Sequence, residues 1–214
     1  SGIGCSSKTP AYFLGKSHGF NTVHGRMPAV TTGAAMGNRD LTFLAVSGDG
    51  DSASIGIGQF IHAVRRNLDM VYVLENNGVY GLTKGQYSPT SEVGKKTKST
   101  PLGSVDHPVN PLVFALGSEA TFVARTLDTD MKHMVETFKA AEAHKGTSFV
   151  EVFQNCVIFN DKTFESVTSR EFKGDQLLVL KEGEPLVFGK EMDKGIKLNG
   201  LDPEIVSLGD GVSE

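Results

Sequence analysis

The chain has 214 residues, 39% of them hydrophobic and 21% charged, with a formal net charge of −4 and a pI near 5.9. That is enough for one large α/β domain or two small ones, the acidic balance leaves no electrostatic footprint for nucleic acid, and no apolar run reaches the ~18 residues of a membrane-spanning helix. Two cysteines, Cys5 and Cys156, are too few for a disulfide-stapled secreted scaffold. By themselves they are compatible with one bridge, two free thiols, or half of a four-cysteine metal site. Ser1-Gly2-Ile3-Gly4-Cys5 lacks the charged-then-apolar pattern of a secretory signal. A chain starting there without Met is expected to have lost its true N-terminus.

Residues 41–46 (Leu-Thr-Phe-Leu-Ala-Val) form an apolar run without polar alternation, bounded by the loop signal Ser47-Gly48-Asp49-Gly50. This predicts a strand buried on both faces, as in a parallel sheet. A helix over 52–67 follows, with Ser52 as N-cap and Ile57, Ile61, Val64 and Leu68 on one face. Residues 70–74 predict a second buried strand that ends in the turn Asn76-Asn77-Gly78. Residues 85–111 read as a long ordered loop, and 110–117 as a short helix. A third strand is expected at 121–124 and a helix at 128–144, with Met131, Val135, Phe138 and Ala141 inward. A fourth strand is expected at 148–153. The alternation predicts an α/β, doubly wound, mainly parallel sheet over residues 1–161. Residues 162–214 are expected to form an extension that packs on the domain or on a partner, with a hairpin of 177–180 and 185–188 around Glu182-Gly183.

Gly48-Asp49-Gly50, then Asn76-Asn77 after the helix and second strand, is the most informative pattern. Open α/β sheets bind ligands beyond the carboxyl ends of their strands, and this spacing delivers a carboxylate and an amide oxygen to that crevice together. Mg²⁺ takes hard oxygen ligands in octahedral geometry, shared with phosphate oxygens. Asp49, Asn77 and the Val79 carbonyl are therefore the candidate metal ligands. Gly50 permits close backbone approach, and the helix N-terminus beyond it favours an anion. The spacing is that of thiamine-diphosphate enzymes.

Ser1-Gly2-Ile3-Gly4-Cys5-Ser6-Ser7-Lys8, His24-Gly25-Arg26, Gly48-Asp49-Gly50-Asp51, Arg65-Arg66-Asn67, Tyr80-Gly81-Leu82-Thr83-Lys84-Gly85-Gln86, Ser88-Pro89-Thr90 and Gln154-Asn155-Cys156 occur in that order. Together they resemble the β subunit of 2-oxoacid:ferredoxin oxidoreductases over residues 1–165. Residues 87–101 and 121–125 look most like the 2-oxoglutarate enzymes. The resemblance implies thiamine-diphosphate-dependent oxidative decarboxylation of a 2-oxoacid to an acyl-coenzyme A, or the reverse carboxylation. Single electrons would pass through a [4Fe–4S] cluster to ferredoxin. It implies that Ile3, Gly4, Cys5, Ser6, His24, Gly48, Gly50, Asp51, Gly81 and Leu82 line the cofactor, and that Lys8 and Leu82 face the substrate. Cys5 and Cys156 would supply two cluster ligands. The other two, a Cys-x-x-Cys, would lie upstream of Ser1, or this chain lacks the cluster. The resemblance also implies that the glutamate activating the cofactor comes from an α subunit, in a heterodimer or a dimer of heterodimers, with the active site at their interface. A cytoplasmic location is expected, with no membrane or nucleic-acid partner.

Two other readings stand beside this one. A non-redox thiamine decarboxylase or carboligase would share Asp49 and Asn77 but leave Cys5, Cys156 and residues 80–86 without a role. A non-catalytic binding or electron-carrying module would not bind the cofactor at all. The lysines 95, 96 and 98 read as a solvated loop ahead of a contact with coenzyme A phosphates or an acidic ferredoxin, and His62 as a packing or surface residue of the helix. Asp210-Gly211 is not read as a second metal motif, because no strand–helix–strand follows it.

Overall fold

Continuous apolar runs make strands that must be covered on both sides, and four such runs line up in parallel in the computed structural model. It describes residues 1–13, 15–200 and 202–209; Asp210-Gly211 lies outside them. The strands are β1 (Leu44–Gly48), β2 (Met70–Asn76), β3 (Phe122–Leu127) and β4 (Thr147–Phe153), in the order β1-β2-β4-β3 with every pairing parallel. The segments between them include α3 (Ile57–Arg66), α4 (Pro111–Gly117) and α5 (Met131–Ala143). Before β1 come α1 (Thr9–Phe13) and α2 (Met27–Gly37).

Alternate strand residues feed two cores. On one face Ala45, Tyr72, Leu74 and Phe149 pack with Met27 of α2, Phe60 and Val64 of α3 and Ala115 of α4. Phe60, Tyr72 and Phe149 form a three-ring cluster with centroids 4.9–5.6 Å apart, and burial drives the Tyr72 hydroxyl pKa far up. On the other face Val46, Val71, Val73, Val150 and Val152 meet Met134, Phe138 and Ala141 of α5. The sheet is therefore doubly wound, with helices on both faces, and no helix among the described residues is long and apolar enough to cross a membrane.

Three local expectations are corrected. Ser52 is no N-cap: residues Asp51–Ile55 make a π-helical turn before α3, and the buried Ser52 hydroxyl bonds the Tyr72 hydroxyl at 2.6 Å. The inward face of α3 carries Phe60, Ala63 and Val64. On α5, Met131 and Val135 are exposed. The inward stripe is Met134, Phe138 and Ala141, an i, i+4, i+7 series that follows the 3.6-residue turn.

The chain divides into the units Ser1–Thr163 and Phe164–Glu214. In the second, the helical turns α6 (Glu165–Thr168) and α7 (Lys173–Gln176) precede an antiparallel sheet of β5 (Val187–Phe188), β6 (Lys194–Asn199) and β7 (Asp202–Ser207). The expected hairpin of 177–180 with 185–188 is not formed. Gly183 does turn at φ 76°, but Pro185 has no N–H to give a ladder. Val187–Phe188 pairs instead with Lys194 and Gly195.

Candidate functional site

The carboxyl ends of β1 and β2 open on a cleft of about 200 Å³. Its walls come from residues 3–6, His24, residues 48–51, Glu75, Asn77 and residues 79–83. Ile3, Gly4, Cys5, Ser6, His24, Gly48, Asp49, Gly50, Asp51, Asn77, Val79, Gly81 and Leu82 thus share one cavity. Lys8 does not: it is exposed at the end of the 3₁₀ turn Cys5–Lys8 and does not line the cleft. Cys156 stands at its edge, as described below.

Asp49 is the buried anion at the floor, 2% exposed. Ser88 and Thr90 donate hydroxyl hydrogen bonds to Oδ2 at 2.5 and 2.6 Å, and the Asn77 N–H reaches Oδ1 at 3.5 Å. Desolvation still outweighs these donors and raises its pKa, which is the state a nearby cation would reverse. Beside it, Asn77 lines the cleft with Nδ2 donating to Gln154 Oε1 at 3.3 Å. Its Oδ1 is buried with no hydrogen-bond partner, and so is the Ser6 hydroxyl, which lines the same cleft. Buried polar atoms are ordinarily paired. An acceptor-only oxygen beside a carboxylate suits a hard cation, and a free hydroxyl suits a phosphate oxygen. Among the described residues no three His, Cys, Asp or Glu side chains converge on a metal position. A cation here would take Asp49 plus amide, carbonyl and phosphate oxygens, a donor set whose chemistry fits Mg²⁺ with a diphosphate.

Asp51, also 2% exposed, ties the N-terminal wall to the helix start. It accepts from the Gly25 N–H and the Ser47 hydroxyl, both at 2.6 Å, and pairs with His24 Nδ1. That nitrogen also faces the Ile3 carbonyl at 3.0 Å, so two acceptors meet Nδ1 and the ring is held in one orientation. A Cβ at Gly50 would sit 2.2 Å from the Tyr80 ring, which is why glycine occupies the position. Tyr80 closes this corner by donating to the Gly50 carbonyl at 3.1 Å.

The two cysteines are free thiols, which removes the bridge. A Cβ on Gly81 would lie 2.9 Å from Cys5 Sγ and 3.6 Å from Cys156 Sγ, so both sulfurs face one point kept open by the missing side chain. Burial, and then the neighbouring Cys156, push the Cys5 thiol up. The pair fits half of a four-thiolate shell.

Several residues that support the site carry no motif, Gln154 of Gln154-Asn155-Cys156 apart. Glu75, 7% exposed, lines the cleft with its pKa raised by burial. Gln154 spans from Glu75 to Asn77. Buried Asn160 donates to the Asn77 carbonyl at 2.8 Å and is bonded by the Lys95 ammonium, so Lys95 anchors its loop instead of standing free. Glu151, fully buried, receives Arg125 at 2.6 Å and Asn76 at 2.8 Å. The one available signal was polar residues embedded in otherwise apolar strands, Glu75 in β2 and Glu151 in β4.

A family model described as the C-terminal TPP-binding domain of thiamine pyrophosphate enzymes matches residues 2–152. The chain is 49% identical over 210 residues to the 2-oxoglutarate oxidoreductase subunit KorB of Mycobacterium tuberculosis, covering 98% of this chain and 56% of that one. It is 47% identical over 178 residues to a 2-oxoacid:ferredoxin oxidoreductase β subunit of a Sulfolobus species, covering 83% and 58%. A solved 2-oxoglutarate:ferredoxin oxidoreductase from Magnetococcus marinus, with 2-oxoglutarate, coenzyme A and succinyl-CoA bound, superposes with a TM-score of 0.77 at 41% identity, over 86% of this chain and 60% of that one. The chain thus spans a little over half the length of these relatives. With a motif-bearing cleft at the carboxyl ends of a parallel sheet and a family match across that sheet, the chain belongs to the thiamine pyrophosphate enzymes, carrying their C-terminal TPP-binding domain.

Proposed function

We propose that this chain acts as the β subunit of a 2-oxoacid:ferredoxin oxidoreductase whose substrate is 2-oxoglutarate, binding thiamine diphosphate through Mg²⁺. The observation that carries the reading is the pair of orphaned buried atoms, Asn77 Oδ1 and Ser6 Oγ, on residues that line one cleft together with Asp49. Asp49, Asn77 and the Val79 carbonyl would hold the cation, and Ser6 would donate to the diphosphate. The bound cofactor supplies the carbon nucleophile and electron sink that loss of CO₂ from a 2-oxoacid requires.

The remaining residues orient and enclose. His24, fixed by Asp51 and the Ile3 carbonyl, presents an imidazole edge to the cleft. Gly50 and Gly81 keep the backbone close, while Ile3 and Leu82 offer apolar surface at the mouth. Cys5 and Cys156 would supply two thiolates to a [4Fe–4S] cluster, the other two coming from outside these residues. Exposed Leu82, Val157 and Ile158 beside the site support docking of an α subunit that brings the activating glutamate, with coenzyme A and ferredoxin as further partners. Lys8, exposed here, would meet substrate only within that assembly. Residues 162–214 would contact a partner subunit, and the site of action would be the cytoplasm.

The test is anaerobic purification of the full-length complex, with iron, sulfide and thiamine diphosphate quantified and 2-oxoglutarate- and coenzyme-A-dependent ferredoxin reduction assayed. About four irons per β subunit, with activity, is the expected result. Cofactor without iron would leave a non-redox thiamine decarboxylase or carboligase, and no cofactor would leave a binding module.

A further inference from the structure

An asparagine amide is nearly symmetric in shape but not in chemistry: its oxygen can ligate a cation, and its NH₂ cannot. Packing alone cannot choose between the two orientations at Asn77, so something polar must. A carboxylate accepts hydrogen bonds and donates none. Glu75 is buried and has both oxygens engaged: the Thr9 hydroxyl donates to Oε1, and Gln154 Nε2 to Oε2 at 3.5 Å. Gln154 must therefore turn its NH₂ to Glu75 and its oxygen the other way. That oxygen accepts from Asn77 Nδ2 at 3.3 Å, which leaves Oδ1 as the end of Asn77 with no partner. Gln154 is held in this position by its own main-chain N–H, which bonds the Asn76 carbonyl at 2.8 Å.

We propose that Glu75 and Gln154 are positioning residues that set the polarity of the Asn77 amide, so that its oxygen and not its nitrogen meets the divalent cation. Neither touches the cation. They act through a series of donors, Asn77 to Gln154 to Glu75, that ends on the Glu75 oxygens. The inference rests on the cation site proposed above.

The test uses Mn²⁺ as probe, with thiamine diphosphate present, on the full-length chain assembled with its partner subunit. Free Mn²⁺ is read by electron paramagnetic resonance. Glu75→Gln lets position 75 donate, which frees the series to reverse. The expected result is Mn²⁺ binding about 10- to 100-fold weaker, the range for outer-shell partners of metal ligands. Gln154→Leu gives the same direction and carries the comparison should Glu75→Gln lose its fold by circular dichroism. In an Asn77→Asp background both ends are oxygens and there is no polarity to set, so adding Glu75→Gln should cost nothing further. Unchanged Mn²⁺ affinity in Glu75→Gln overturns the proposal. So does an equal loss in the Asn77→Asp background, which marks a merely structural role. Failure of the wild-type assembly to bind Mn²⁺ with thiamine diphosphate overturns the cation site itself, and the inference with it.

Discussion

Strand β2 is two different objects within seven residues. Met70 to Leu74 are apolar, buried on both faces and fixed by packing, with Tyr72 and Leu74 on one face and Val71 and Val73 on the other. Glu75 and Asn76 continue the strand equally buried, yet what holds them is directional: hydroxyl and amide donors to Glu75, and a carboxylate acceptor for Asn76. The first half gains free energy by leaving water at ~25 cal/mol per Å². The second must recover by hydrogen bonding what desolvation takes away. The lower half stabilises the sheet, and the upper half uses that stability to hold polar groups in a state that a ligand completes.

Substitutions can separate the halves. The largest effect is expected at the polar end. Asp49→Asn should weaken Mg²⁺-dependent thiamine diphosphate binding by more than the roughly 100-fold that a supporting residue costs. Its melting temperature should hold or rise, since burial already disfavours the charged carboxylate; calorimetry of binding and thermal melts read the two separately. A drop in both would break the distinction. At the apolar end, Phe149→Ala removes a fully buried ring from the three-ring cluster and should cost about 3–5 kcal/mol in urea unfolding. Away from both, Asn110→Ala removes the side chain that caps α4 by accepting from the Leu112 N–H at 3.1 Å. About 1 kcal/mol is expected there by the same measurement, with binding unaltered.

The smallest effect lies in the second unit. A bond from the Lys190 N–H, helped by the Lys194 and Lys190 ammonium groups, lowers the Asp175 pKa. Its folded value is depressed, so its contribution is present above the ordinary aspartate range and fades as pH falls through the folded value. Hydrogen exchange of the β6–β7 amides should show a slight acid-side loosening that Asp175→Asn abolishes.

The same contrast explains what could be read from sequence. The apolar runs at 41–46, 70–74 and 148–153 announce buried strands, and the helices between them dictate a parallel sheet, because each signal is carried by several residues at once. The Gly48-Asp49-Gly50 and Asn76-Asn77 pair was legible for the same reason, as was the gathering of residues 3–6, His24 and Gly81 by resemblance. Strand order was not, since nothing local says that β4 inserts between β2 and β3. Nor was Glu75 as a site member, nor the role of Gln154 beyond its place in Gln154-Asn155-Cys156: each depends on a neighbour about eighty positions away. The β6–β7 ladder escaped because Leu198 and Ile205 point to solvent, so the alternation that marks a half-buried strand is weak.

The insertion of β4 has a consequence during synthesis. Among the described residues β3 pairs only with β4, and the edge of β2 away from β1 also pairs with β4. From the moment Asn76 leaves the ribosome until Thr147 follows, that edge of β2 has no partner. At about 5–20 residues per second the delay is on the order of 10 s, long compared with hairpin formation. An apolar edge left open that long is a template for pairing with other nascent chains, so the yield of this protein should depend on whatever shields β2 until β4 arrives.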